Sequence, residues 1–303
     1  MKNNTARQKY QNLVDRFILE LEQEIKPWTK SWNLSNGLPK SAISGGEYSG
    51  INILSLIDSK FQSNEWLTAK QVESLGGTVR ETEQNKPKDI YFLNDIKKKV
   101  EEKDESTGET KEVVKKYKLL KTYKVYNTEQ VDGINFTKKQ SSKPQNEKLL
   151  EVEQFITSLN INTLVGEPAY SPKKDTVFMP NINSFKNSEN YYATYFHEIT
   201  HWSGHKDRLN RDKHNSKYDD TYAYEELIAE LGSAFLSARH NINIEDNQHT
   251  EYLHSWIKIL KANPYILFSV SSQSSKATNY IHKVSRENQQ QNKKTKTTAP
   301  KLK

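Results

Sequence analysis

Apolar residues recur along the chain with a helical period in some stretches and alternate in others. Tyr10, Leu13, Phe17, Leu21 and Ile25 follow each other at spacings of three and four. Residues 7–25 are therefore expected to form an amphipathic helix, stopped by Pro27. "INILSLIDSKF" reads as a short buried helix. "WLTAKQVESLGGTVRE" reads as a helix opened by Trp66 and ended by Gly76-Gly77, followed by a strand. Residues 88–126 alternate apolar and charged positions on both sides of "ESTGET", which predicts a long hairpin with its tip near Thr107-Gly108 and a strand over Lys121–Tyr126. After a polar stretch the helical period returns in "LLEVEQFITSLNI", from Tyr191 to about Gly204, and in "YAYEELIAELGSAFLSARHNI". "DTVFMP" is a short strand. Residues 250–284 supply two more helices.

These elements define an α+β chain of two domains. Residues 1–136 form an α+β domain with the long hairpin, 137–149 a polar linker, and 150–285 a mainly helical domain. Residues 286–303, "RENQQQNKKTKTTAPKLK", are expected to be a disordered basic tail.

Charge adds less than it promises. The 303 residues carry a formal net charge of +7. Residues 1–135 hold 22 Lys+Arg against 20 Asp+Glu, residues 136–285 hold 17 against 17, and residues 286–303 hold 6 against 1. Most of the excess sits in the tail, so the overall pI says little about the folded part. There is no cysteine, which excludes disulfides and thiolate metal sites. No apolar signal region or membrane-length apolar run occurs, and a soluble cytoplasmic protein is expected.

The chemistry concentrates in "FHEITHWSGHKD". On a helix, His197 and His201 lie one turn apart on one face, so both imidazoles reach one zinc ion. Glu198 beside them is the candidate catalytic base. A third ligand is required. With Asp207 the motif resembles the metzincin pattern, Asp replacing its last histidine, but metzincins also carry a methionine turn downstream, and Met1 and Met179 both precede it. On the next apolar helix, Glu226 followed four residues later by Glu230 resembles the gluzincin arrangement, and Glu226 is the ligand that resemblance implies. Glu230, four residues on, is expected to orient a zinc-bound histidine. Glu225 is expected at the surface. Tyr222, Tyr224 and His205 are candidates for stabilising an oxyanion, and the sequence does not choose among them. The remaining histidines have no ligand spacing of their own.

The first third interleaves aromatic residues with lysines, as a groove for single-stranded nucleic acid does. Lys26, Trp28, Lys30, Trp32 and Tyr48 form one group. Lys121, Tyr123, Lys124 and Tyr126 form another. Tryptophans in small domains are also commonly core, and residue types alone leave both readings open.

"YYATYFHEITHWSGHKDRLNR", "YAYEELIAELGSAFL" and "SWIKILKANPYILFSVSSQSSKATNYI" resemble the zincin-like metallopeptidase domain of ArdC-type antirestriction proteins. "KPWTKSW", "EYSGINILSL", "WLTAKQVESLGGTVR" and "YKVYNTEQVDGI" resemble the single-stranded-DNA-binding domain of the same family. The resemblance spans about residues 7–285. It implies a protein of a plasmid or other mobile element that binds single-stranded DNA and protects incoming DNA from restriction, with a host defence or restriction protein as a further partner. It also favours His197, His201 and Glu226 as metal ligands and Glu198 as the catalytic group. The charged hairpin at 97–116 and the basic tail depart from the family pattern.

Overall fold

The computed structural model describes residues 2–28, 37–57, 61–103, 110–136, 145–211, 221–242 and 252–298. The class is α+β. Helix α1 (Lys2–Glu22) buries Tyr10, Leu13, Val14, Phe17 and Leu21, the stripe its period predicts. It stops earlier than Pro27 requires. Glu24 takes a φ of 58° and the Ile25 N–H bonds Glu20 O at 2.9 Å, so the chain has already turned away before the proline.

A four-stranded sheet follows in the order β1 (Lys40–Ser41), β2 (Glu65–Leu67), β5 (Thr110–Asn127), β4 (Lys88–Lys103). Trp66 lies on β2 instead of opening a helix, and it is core as large aromatics commonly are. Helix α2 (Ile51–Ile57) packs on β4: the Asn52 side chain donates to Tyr91 O at 3.1 Å and accepts from the Tyr91 N–H at 2.7 Å. Helix α3 (Ala69–Ser74) begins on a capping box between Thr68 and Gln71 and ends before Gly76, whose φ is 78°. Strands β3 (Thr78–Val79) and β6 (Val131–Asp132) pair beside it. The hairpin β4–β5 keeps unbroken register from Lys88↔Val125 to Lys103↔Thr110. Its tip lies outside the described residues. Among the described residues only its root is covered, by Leu56 and Trp66 on one face and by the α1 core on the other.

The second region holds α4 (Gln145–Ser158), a three-stranded sheet and four helices. In the sheet, β9 (Thr176–Met179) lies between β7 (Thr163–Val165) and β8 (Ala169–Ser171). The helices are α5 (Ser188–Ser203), α6 (Thr221–Arg239), α7 (Leu253–Ala262) and α8 (Tyr265–Thr298). Helix α4 starts inside the expected linker. The expected disordered tail is also corrected: α8 runs on through residues 286–298. Asn288 donates to Ser158 O at 2.8 Å, which ties the first turn beyond 286 back to α4.

The two regions share one hydrophobic core. Tyr10, Phe17 and Leu21 of α1 pack in the same cluster as Leu227 and Phe235 of α6, Trp256 of α7 and Leu267 of α8. The Tyr10 hydroxyl donates to Pro264 O at 2.8 Å and accepts from the Phe268 N–H at 3.0 Å. Among the described residues no helix is long and apolar enough to cross a membrane.

Candidate metal centre

Helix α5 opens on Asn187, whose side chain accepts from the Asn190 N–H at 2.8 Å. Phe196 and Ile199 go into the core, which turns His197 and His201 towards α6. The two helices approach closely at Gly232. A Cβ there would stand 2.5 Å from Thr200 Cγ2 and 2.6 Å from Thr200 Oγ1. Glycine lets α6 lie near enough for its carboxylates to reach the histidines of α5.

Three side chains converge. His197 Nε2 and His201 Nε2 are 3.1 Å apart. Glu226 places Oε2 3.4 Å from His197 Nε2 and Oε1 3.6 Å from His201 Nε2. Neighbouring donors around a tetrahedral ion with bonds of about 2.0–2.1 Å lie about 3.3 Å apart. The spacing of this nitrogen, nitrogen and oxygen set fits a divalent metal, and these are the atoms that would hold it. Glu198 is buried next to the set, and its carboxylate accepts a bond from the Tyr170 backbone of β8. Asp207 stays apart. Its carboxylate faces solvent and lies 3.5 Å from His205 Nδ1.

Each histidine has a carboxylate behind it. Glu230 Oε2 lies 3.7 Å from His197 Nδ1. Glu225 Oε1 lies 3.2 Å from His201 Nδ1, so the expectation that Glu225 is a surface group is corrected. Arg211 holds it there. That guanidinium is buried and donates to both Glu225 oxygens, to Ser203 Oγ and to Thr200 O. Arg211 carries no spacing signal, and the sequence reading missed it.

Burial opposes protonation of His197, yet Glu226 and Glu230 outweigh it and push the imidazole up to about 10. His201 is raised for the same kind of reason, by Glu225 and Glu226 against burial. Burial would raise Glu226, but the two imidazoles hold it well below the usual carboxylate range. Glu198 moves the other way: burial raises it, and the nearby histidines only partly compensate. Without metal the raised imidazoles pair with the carboxylates as cations, and a dication bound there would displace their protons.

The residues expected at nucleic acid divide. Lys26 and Trp28 are buried, with Lys26 Nζ 3.0 Å and Trp28 Nε1 3.3 Å from Glu230 Oε1. They cannot stack or contact a strand, so that expectation is corrected. Tyr126 is buried too, and its hydroxyl donates to Gln84 O at 2.8 Å, so that expectation is also corrected. Tyr48 is half-buried against the Trp66 cluster. Lys121, Tyr123 and Lys124 are exposed on the hairpin. Lys30 and Trp32 lie outside the described residues. Of the oxyanion candidates, Tyr222 is exposed and hydrogen-bonds Tyr252 at 3.1 Å and Glu226. Tyr224 bonds Ser269 at 2.5 Å, and the Asp207 N–H donates to His205 Nδ1 at 3.3 Å.

A helix-borne His-Glu-x-x-His with a carboxylate from the next helix defines a zincin-like class of site. Comparison agrees: residues 150–273 match the zincin-like metallopeptidase family, and residues 7–126 match the N-terminal domain of anti-restriction factor ArdC. The chain resembles the metal-free crystal structure of the antirestriction ArdC protein from plasmid R388. The TM-score is 0.70 at 30% identity, covering 92% of this chain and 98% of that one. The Mn(II)-bound form of that protein superposes with a TM-score of 0.69 at 29% identity, over 91% of this chain and 97% of that one. The chain belongs to the ArdC antirestriction family. It is also 29% identical to a DNA primase TraC of Escherichia coli over 288 residues, which is 90% of this chain and 27% of the primase. It therefore spans about a quarter of that relative's length.

Proposed function

We propose that the chain is a cytoplasmic antirestriction protein of a mobile element that binds single-stranded DNA and shields it on entry. Zinc is its expected metal, held by His197, His201 and Glu226. The observation that carries the DNA reading is one face of the hairpin. Phe92, Tyr117 and Tyr123 are exposed there, and by register they share that face with Lys98, Lys115 and Lys121. Tyr117 and Tyr123 are separated by about 20 Å along the strand, at about 3.4 Å per residue. Aromatic faces with lysines between them suit bases and phosphates of a flexible strand, and stacking contributes about 1–3 kcal/mol per base. Similarity to a DNA primase fits a protein that handles single strands.

The test is binding of a labelled single strand and of its duplex to the full chain, beside a variant with Phe92, Tyr117 and Tyr123 changed to alanine. The single strand should bind more tightly than the duplex, and the variant should lose at least tenfold. Equal binding by variant and wild type would remove the hairpin from the account.

A second reading is an active metallopeptidase that cleaves a host defence or restriction protein. It is favoured by the position of Glu198, buried beside the donor set. A divalent metal held there supplies Lewis-acid polarisation of water and of a scissile carbonyl. Glu198 is the group that would take a proton from water and return it to the leaving amine. Tyr222, exposed and hydrogen-bonded to Glu226, is the candidate to donate to a developing oxyanion. Glu198→Gln separates the readings: it abolishes any cleavage and leaves strand binding at its wild-type level. In a third reading zinc only holds α5 to α6, and no substrate is turned over.

A further inference from the structure

We propose that Lys26 and Trp28, contributed by the amino-terminal region, are positioning residues of the metal centre. They fix the carboxylate that aims His197, so the centre is complete only when the segment carrying them is docked. The inference rests on the reading of His197 as a metal ligand. It does not depend on DNA binding.

The two oxygens of Glu230 face different ways. Oε2 is directed at His197 Nδ1, 3.7 Å away, and Oε1 takes the Lys26 ammonium at 3.0 Å and the Trp28 N–H at 3.3 Å. Lys26 is 2% exposed and Trp28 1% exposed. A lysine is almost never buried to this extent without a partner, and the partner here also stands at ion-pair distance, 3.7 Å, from the buried Nδ1 of a candidate ligand. Trp28 is itself held edge-on by Trp256 at 5.7 Å. The Trp256 N–H donates to Ala223 O, in the first turn of the helix that carries Glu226 and Glu230. One segment of the amino-terminal region thus grips α6 through two contacts, one on the carboxylate and one through Trp256.

The plain alternative is that Lys26–Glu230 is a folding contact only. Buried ion pairs are poor contributors to stability, because desolvation offsets most of their attraction. This pair sits where aiming matters: an outer carboxylate fixes the tautomer and orientation of a ligating imidazole. Linkage then runs both ways. If docking of residues 26–28 tightens the metal, bound metal tightens the docking by the same factor.

The experiment is zinc affinity of the full chain, measured by competition with a chromogenic chelator. It compares variants whose metal-free circular dichroism matches wild type. Lys26→Met should bind zinc about tenfold more weakly, the usual scale for loss of an outer partner. Coulomb's law alone gives the opposite sign, since removing a cation near a dication tightens binding. Wild-type or tighter affinity in folded Lys26→Met therefore overturns the proposal, and so does a lower melting temperature with unchanged affinity. If Lys26→Met does not fold, Trp28→Phe decides. It keeps the Lys26 charge and an aromatic ring beside Trp256 and removes the N–H together with part of the indole volume, so it too is compared only with matching metal-free circular dichroism. Weaker zinc binding supports the proposal and equal binding overturns it. A wild-type chain that binds neither zinc nor manganese fails the metal reading itself, which is a different result from bound metal that ignores residues 26 and 28.

Discussion

Glu225 Oε1 stands 3.2 Å from His201 Nδ1, and Arg211 Nη2 stands 2.8 Å from the same oxygen. The carboxylate is clamped between the candidate ligand and a buried cation. Burial would raise its pKa, but His201 and Arg211 hold it below the usual range, so it stays ionised behind the imidazole. Glu225→Gln keeps the shape and removes the charge. It should weaken metal binding about tenfold, measured by chelator competition on the folded variant.

The approach of α5 to α6 makes a second prediction. Gly232→Ala drives a methyl into Thr200. Overpacking of this kind costs about 1–3 kcal/mol, and it moves Glu226 away from the histidines. The melting temperature and the metal affinity should fall together. Adding Thr200→Ala should restore part of both, and the non-additivity of the pair is the measured quantity.

Metal removal should destabilise the fold, because the ion binds donors brought together only in the native state. At a free metal concentration 100-fold above its Kd, the stabilisation is about 2.7 kcal/mol. Thermal melting with and without a chelator measures it, and Glu226→Ala should show no chelator effect.

A pH effect comes from a different place. His240 and His282 stack 5.2 Å apart at 9°, both against Phe155. Burial depresses His240 to about 4, with Arg239 adding to the effect and Glu151 opposing it. Burial also depresses His282 to about 2, with His240, Arg239 and Arg286 adding. The unfolded chain takes up these protons near pH 6.5 while the folded chain does not. Stability contributed by the neutral pair is thus present above pH 6.5 and is lost as pH falls below it, towards 4 and lower. Between pH 7 and pH 5 the loss should be roughly 2 kcal/mol for each histidine, seen as a falling melting temperature. His240→Phe should flatten that slope.

Several elements were legible from periodicity alone. The helix at α1, the hairpin, and α5 and α6 follow from apolar spacing, because each buries one face of a regular element. That His197 and His201 share a face follows from helical spacing, whereas Glu226, on another helix, was expected there from resemblance and from its apolar setting, and the three donor groups do lie together. Lys26 and Trp28 were not legible. A loop reading Lys-Pro-Trp looks the same whether it faces solvent or a carboxylate 200 residues away, and only tertiary packing decides. Glu225 is hard to place from sequence because one carboxylate on a helix gives no sign of the arginine that holds it against His201. The end of α8 was read as disorder from its polar composition. It continues a helix already nucleated by a buried stretch, and no proline or glycine interrupts it before Pro300. Strands β7 and β8 were too short for alternation to register.

The centre of the account is the ligand set on α5 and α6. The most direct measurement is metal content per chain, by elemental analysis after dialysis, for the full chain and for Glu226→Ala. One divalent ion per wild-type chain and a loss of most of it in folded Glu226→Ala is the expected result. A wild-type chain without metal after loading with zinc or manganese, or a Glu226→Ala chain that keeps a full equivalent, would contradict the account.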